Sequence, residues 1–473
     1  MKRLRIAIIA AALLAACSPA TPLPYPTPGA TFTATSSQPT ASPALTTPTS
    51  TPVPVPDILY VDPAKDLGPI SPYVYGSNYG PWTAVPADLY QTALDSHITV
   101  LRFPGGRWGN ENDIQTYQLD MFMDFCRKMG AIATIHVRFQ GGTPEKAAEW
   151  VRYANIEKGY GIVYWSIGNE PDYELENGKK IDPKDFNPRW RAMALAMKAV
   201  DPTIKIMGPE LSQWGVIVGN VMHGQIPKYP PRETPAFTRQ DWMTEFLKAN
   251  GDLVDIVTVH RYPMYSPSST FKITPPRLRE NAVEWNQYVV YLRSVIHEIT
   301  GRDIPVAFTE INSDPSAVVS GVASPDSFYN AIWYADILGR LIQERVFMVN
   351  QFVLGGNSGG LPMLYPGQIR PIYYVFQMYY RFGNEQVLAT SGKQYVDIFA
   401  ARRPDGTLTL MVINMLDTEQ TIPLKVEGVN LSSADVWLFD ATHNAVDLGQ
   451  QAFPADGNVV LPAQSITLYA LGK

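Results

Sequence analysis

Two cysteines among 473 residues cannot supply a disulfide framework. Charge is scarce as well: 17% of residues are charged, and the formal net charge is -6. A nucleic-acid partner would need a basic face, so that class is excluded. Six scattered histidines, with no Cys-x-x-Cys or His-Glu-x-x-His, argue against a catalytic metal. The glycine-rich run Gly355-Gly356-Asn357-Ser358-Gly359-Gly360 lacks the Gly-Lys-Ser/Thr of a phosphate loop. No cofactor is expected.

The chain does carry, first, a leader. A basic start (Lys2, Arg3, Arg5) precedes the apolar stretch Ile6–Ala16, which falls far short of the about 20 residues that span a bilayer. Residues 1–16 therefore read as a signal peptide. Residues 17–56 follow as Cys17 and a linker of Pro, Thr, Ser and Ala, uncharged from residue 18 onward. Such a composition cannot bury a core and favours extended polyproline II. At ~3.1 Å per residue it would reach about 120 Å. Leu14-Ala15-Ala16-Cys17 resembles a bacterial lipobox. That resemblance implies lipidation of Cys17 and an exported protein anchored at the cell surface or envelope, touching the membrane only through its lipid. With Cys17 so used, Cys126 is left at helical spacing with Leu119 and Phe122, as an inert core thiol.

From residue 57 short β-type runs alternate with helical stretches, the pattern of βα units. Eight strands are expected: Tyr73–Asn78, Thr99–Phe103, Ala131–Val137, Ile162–Ile167, Ile204–Gly208, Asp255–His260, Val306–Glu310 and Phe347–Val353. Eight repeats over residues 57–385 fit a (β/α)8 barrel of the α/β class. An open doubly wound sheet is the alternative, although no Gly-x-Gly-x-x-Gly follows the first strand. Residues 386–473 alternate like half-buried strands and read as a β-sandwich. The run Ile58–Val61 is a candidate extra strand for it.

Catalytic groups of such a barrel sit at the C-terminal strand ends. Reading those positions gives Asn78, Arg102, His136, Asn169 with Glu170, His260 with Tyr262, Glu310 with Asn312, and Gln351. Two of them are glutamates closing apolar runs, Glu170 in Gly168-Asn169-Glu170-Pro171 and Glu310 after Pro305–Thr309. A buried strand should not end in a charge unless that charge is satisfied or used. Paired carboxylates are what a retaining glycosidase needs. The same two glutamates also suit buried salt bridges with arginines such as Arg102 and Arg138. Trp82, Trp108 and Trp214 follow strands, where they would either stack sugars or pack loops.

The segments Val163–Pro171 and Phe308-Thr309-Glu310 resemble the strand-four and strand-seven glutamates of glycoside hydrolase clan A. Ile70–Gly76, Leu101–Gly106 and Ala147–Asn155 resemble the α-L-arabinofuranosidases of that clan, and the first and fourth strands its endoglucanase and xyloglucanase family. The resemblance implies Glu170 as acid/base and Glu310 as nucleophile. It also implies Asn169 on the sugar 2-hydroxyl, Arg102 and Tyr262 orienting Glu310, and His260 and His136 lining the subsite. Gln351-Phe352 stands where many clan members place Trp. The implied substrate is a polysaccharide or oligosaccharide, either arabinose-bearing hemicellulose or β-linked xylan or glucan. A silent carbohydrate-binding surface lipoprotein and a transglycosylase are the rival readings.

Overall fold

Strand ends and helix stripes set the architecture before any long-range contact is considered. The computed structural model describes residues 54–214, 241–265, 271–315 and 321–472. The expected signal peptide, Cys17 and the linker as far as residue 53 lie outside the described residues.

Strand β1 (Leu59–Pro69) leads into β2 (Gly76–Asn78), β3 (Val100–Phe103), β4 (Ile132–Val137), β5 (Tyr164–Ile167), β6 (Lys205–Leu211), β7 (Ile256–Arg261), β8 (Val306–Ile311) and β9 (Met348–Gln351). Strands β2 to β9 close into a barrel in the order β8-β9-β2-β3-β4-β5-β6-β7. Every expected barrel strand is present, and closure rules out the open sheet. Helices cover the barrel, most burying one apolar face, whereas Phe328–Gln343 is buried nearly all round. In Thr116–Met129 the buried residues are Leu119, Phe122, Phe125 and Cys126, and Gly130 ends the helix at φ 71°. Thr143 caps Pro144–Val151 by accepting a hydrogen bond from the Lys146 amide at 3.3 Å.

The barrel interior is layered. Near its N-terminal end Val100, Met207, Ile256, Ala307 and Met348 form an apolar plug, with Tyr73, Tyr164 and Phe347 packed on it. Side chains alternate along a strand, so residues two places further on point inward as well. Those are Arg102 on β3 and Thr258 then His260 on β7, all fully buried. The interior thus turns from apolar to charged within one strand length.

Two irregularities complete the charged layer. The β8–β7 register shifts between Phe308 and Glu310, and the β6–β7 register between Gly208 and Leu211. A bulge turns a residue that alternation would send outward. Thr309 and Glu310 therefore both reach the interior, and so does Glu210.

After the barrel come β10 (Glu385–Ser391), β11 (Val396–Arg402), β12 (Leu408–Asn414), β13 (Gln420–Val426), β14 (Ser433–Phe439), β15 (Val446–Ala452), β16 (Asn458–Leu461) and β17 (Ser465–Leu471). They join β1 in one sheet, ordered β15-β14-β17-β12-β11-β10-β1-β13-β16. The sheet curls so that one face encloses Leu59, Val61, Val396, Ile398, Leu410, Val412, Ile422 and Leu461. The other face gives Phe399, Met411, Ile413 and Leu468 to the barrel's core. Contact there is close: a Cβ on Gly339, in helix Phe328–Gln343, would lie 2.3 Å from the Phe399 ring. Residues 59–69 therefore belong to the sheet, and the barrel begins after Pro69 rather than at residue 57. Pairing of β1 between β10 and β13 satisfies a segment too short to stand alone.

Candidate active site

Strand tips β2, β3, β5, β6, β7 and β8 bring their polar side chains into one hydrogen-bonded network. Arg102 is its centre and is fully buried. Its Nη1 donates to Glu310 Oε1 at 2.7 Å and to Asn78 Oδ1 at 3.0 Å. Its Nη2 donates to Asn169 Oδ1 at 2.9 Å and faces Glu210 Oε2 at 3.5 Å. Asn78 in turn donates to the Thr309 carbonyl at 3.0 Å, fixing β2 against β8. Close packing demands glycine nearby: a Cβ on Gly105 (φ 61°) would sit 3.0 Å from Asn78 Oδ1.

Glu310 is held from its other side too. The Tyr262 hydroxyl donates to Glu310 Oε2 at 2.7 Å. Burial and the facing Glu310 carboxylate push the Tyr262 phenol well above its ordinary pKa, so it stays a donor. An arginine and a phenol donating to opposite oxygens of one carboxylate fix it in direction.

Glu170 is reached through His260. The ring's Nδ1 lies 2.9 Å from Glu170 Oε1 and 3.6 Å from Glu310 Oε2. Its Nε2 lies 2.9 Å from Glu210 Oε2. Burial opposes charge on this ring, but Glu310, Glu170 and Glu210 around it raise its pKa to about 10. Burial also opposes charge on Glu210, yet Arg102 and His260, with the Thr309 hydroxyl, bring it down to about 2. In its protonated form the ring donates from both nitrogens.

The backbone joins the turn that carries Glu170 to strand β6, which carries Glu210. Both residues have left-handed φ, 43° and 61° respectively. Such angles are costly for a residue with a Cβ and persist only where surroundings impose them. The Glu170 amide donates to the Glu210 carbonyl at 2.9 Å. Nearby, the Ser212 amide and hydroxyl both donate to Asp172 at 2.9 Å. Burial raises the carboxyl groups of Asp172 and Glu174 to about 7.

Glu170 opens on a cleft of about 430 Å³, lined also by Tyr173, Ser212, Gln213, Tyr262, Tyr265 and Pro315. Glu170, His260 and Glu310 each offer a donor atom within 4.8 Å of the others. A cation would compete there with Arg102 and a protonated His260. The trio is arranged for proton and hydrogen-bond chemistry. The same distance brings an oxygen of Glu170 within 4.8 Å of one of Glu310. Retaining glycosidases hold their carboxyl groups about 5–5.5 Å apart and inverting ones about 6.5–9.5 Å.

Of the residues singled out in the sequence, Asn78, Arg102, Asn169, Glu170, His260, Tyr262 and Glu310 meet here. His136 lies on β4, fully buried, and neither ring nitrogen has a hydrogen-bond partner among the described residues. Burial and then Arg102 lower its pKa to about 3, so it is neutral. Gln351 accepts from the Ser77 hydroxyl at 2.9 Å and is fully buried inside the barrel wall. Trp108 is half-buried against the barrel core on the short helix Gly106–Glu111. Trp214 is wholly buried and stacks on Tyr291, so it packs a loop. Trp82 is 37% exposed and stacks on Phe352, whose ring meets Tyr262 edge-on. Arg138 pairs with Asp113, away from both glutamates. Glu210 went unseen, although it too closes an apolar strand. Read by alternation alone, the strand ends at Gly208-Pro209.

No family model matches the chain. Its sequence is similar to α-L-arabinofuranosidase C of Emericella nidulans, 21% identical across 84% of this chain and 91% of that one. Its structure is similar to the α-L-arabinofuranosidase of Thermotoga maritima in its arabinose complex, with TM-score 0.66 at 17% identity. That match covers 87% of this chain and 99% of the other. CelM2, a bifunctional glucanase-xylanase from a metagenome library, matches at TM-score 0.65 and 18% identity over 88% and 99%. The barrel and its sheet domain are the fold of these glycosidases. The likeness includes the sheet, which the motifs named in the sequence do not cover.

Proposed function

We propose that this chain is a retaining glycoside hydrolase acting on arabinose-bearing plant glycans. The observation that carries the reading is the Glu170–Glu310 pair, one carboxylate open to a cleft and the other fixed by Arg102 and Tyr262. In the first step Glu310 attacks the anomeric carbon while Glu170 gives its proton to the departing glycosidic oxygen. A glycosyl ester forms on Glu310. In the second step Glu170 takes a proton from water, which displaces the ester with net retention. Asn169, whose Oδ1 is taken by Arg102, keeps its amide N–H groups for the sugar 2-hydroxyl. His136 shapes the subsite beneath. The names of the relatives support an arabinofuranosyl substrate, with β-linked xylan or glucan as the alternative.

The lipobox-like Leu14–Cys17 supports export and a lipid anchor at the envelope, with the linker as tether. The test is sugar release by residues 54–473 from arabinan, arabinoxylan, xylan, xyloglucan and β-glucan, beside folded Glu310→Gln. Release by the native protein alone, from arabinan or arabinoxylan, is expected. Silence of the folded native protein across the panel would overturn the reading in favour of a binding protein.

A further inference from the structure

Glu210 has no part in the two-carboxylate reaction, yet it is a fully buried carboxylate within the catalytic network. Its Oε2 lies 2.9 Å from His260 Nε2 and 3.5 Å from Arg102 Nη2, and it accepts from the Thr309 hydroxyl. Its amide donates to Thr258 Oγ1 at 2.8 Å and its carbonyl accepts from the Glu170 amide at 2.9 Å. An uncompensated buried charge is strongly destabilising, so one held in place by this many partners serves something.

The charges in the network show what. In the glycosidase reading Arg102 and a protonated His260 carry positive charge, and Glu210 and the nucleophile Glu310 negative charge. Facing them are neutral His136 from β4, the phenol of Tyr262 just after β7, and Glu170, with Asp172 and Glu174 behind it in the same turn. With Glu170 protonated, the two cations and two anions cancel. In the glycosyl ester Glu310 is neutral and Glu170 ionised, and the sum is again zero. The reaction moves one negative charge from Glu310 to Glu170, and His260 Nδ1 lies 2.9 Å from one and 3.6 Å from the other. Without Glu210 neither state is neutral.

We propose that Glu210 is a positioning residue that keeps His260 charged and its Nδ1–H aimed between Glu170 and Glu310 through both steps. This rests on the glycosidase reading above. It makes Glu210 a third required carboxylate, acting through His260 rather than on the sugar.

The test compares Glu210→Gln, Glu210→Asp and the native protein by kcat/KM against pH, on an arabino-oligosaccharide and on a dinitrophenyl α-L-arabinofuranoside. In Glu210→Gln the site carries an extra positive charge, so it gives up a proton at lower pH. The alkaline limb on the oligosaccharide should move down by about one pH unit, with kcat/KM falling on the order of 10- to 100-fold. The dinitrophenyl substrate, needing no acid, should lose much less, and Glu210→Asp should restore the limb. A folded Glu210→Gln with lowered stability and an unmoved limb would leave Glu210 a structural residue only. Nitrogen-15 NMR of histidine-labelled native protein at pH 8, assigned with His260→Gln, tests the same point should Glu210→Gln not fold. Both His260 nitrogens protonated is expected, and a neutral ring overturns the proposal. A native protein inactive on every glycan would instead sink the glycosidase reading, while the NMR result still judges Glu210.

Discussion

The barrel mouth and the sheet domain handle buried polar groups in opposite ways. In the sheet, Thr409 donates to the Ala401 carbonyl at 3.0 Å, Asn414 to Pro462 at 2.8 Å and Ser465 to Pro462 at 2.7 Å. Each of these three side chains satisfies a backbone group, as buried polar groups in a scaffold do. At the barrel mouth Arg102, Asn169, Glu210, His260, Tyr262 and Glu310 bond chiefly to one another. Charges facing charges inside a barrel are not needed for folding, and apolar substitutes are often as stable. The difference separates the part of the molecule that does chemistry from the part that supports it.

Perturbing each region in turn should break or sharpen that contrast. The largest effect is expected from Glu310→Gln, which removes the nucleophile while its amide oxygen still accepts from Arg102 and its amide NH2 faces the Tyr262 hydroxyl oxygen. Turnover should fall on the order of 10⁴-fold or more, with thermal unfolding nearly unchanged; activity within tenfold of native would remove Glu310 from its role. Glu170→Ala should cost about 10²- to 10⁴-fold on oligosaccharides and far less on dinitrophenyl glycosides. Equal losses on both substrates would argue against an acid. Tyr262→Phe deletes one hydrogen bond to a charged group, about 1.5–3 kcal/mol. That corresponds to a drop in kcat of roughly 10- to 100-fold.

The sheet should answer differently. Phe399→Ala opens a void against Gly339 and should cost about 3–5 kcal/mol of stability, read by denaturant unfolding. Its pH profile of kcat/KM should match the native one, and a shifted limb would mean that the two regions are coupled. The smallest effect expected is at Asp172. Its carboxyl is raised to about 7 in the fold, above its unfolded value, so ionising it destabilises the protein as pH rises through that range. Asp172→Asn should therefore gain on the order of 1 kcal/mol at pH 8 and little at pH 4, measured as unfolding midpoints at both.

Much of this was legible in the sequence because strand tips in a parallel barrel are read by position. Apolar runs ending in Asn169-Glu170 and Glu310 announced two carboxylates, and Arg102, His260 and Tyr262 followed by the same rule. Glu210 escaped because a bulge, not alternation, turns it inward, and Gly208-Pro209 looks like a strand end. Gln351 and Trp108 stood at eligible positions, but sequence cannot say that Ser77 takes the one and the barrel core the other. In the sheet, β17 is buried on both faces, so it shows no alternation. Strand β15 is exposed throughout and shows no apolar pattern.

The central claim is that Glu310 carries the sugar between two steps. The most direct measurement is peptide mass analysis of Glu170→Ala quenched during turnover of dinitrophenyl α-L-arabinofuranoside. Loss of the base slows the second step, so a pentosyl ester should accumulate on the peptide containing Glu310. Turnover with no adduct, releasing a sugar of inverted configuration, would contradict the account.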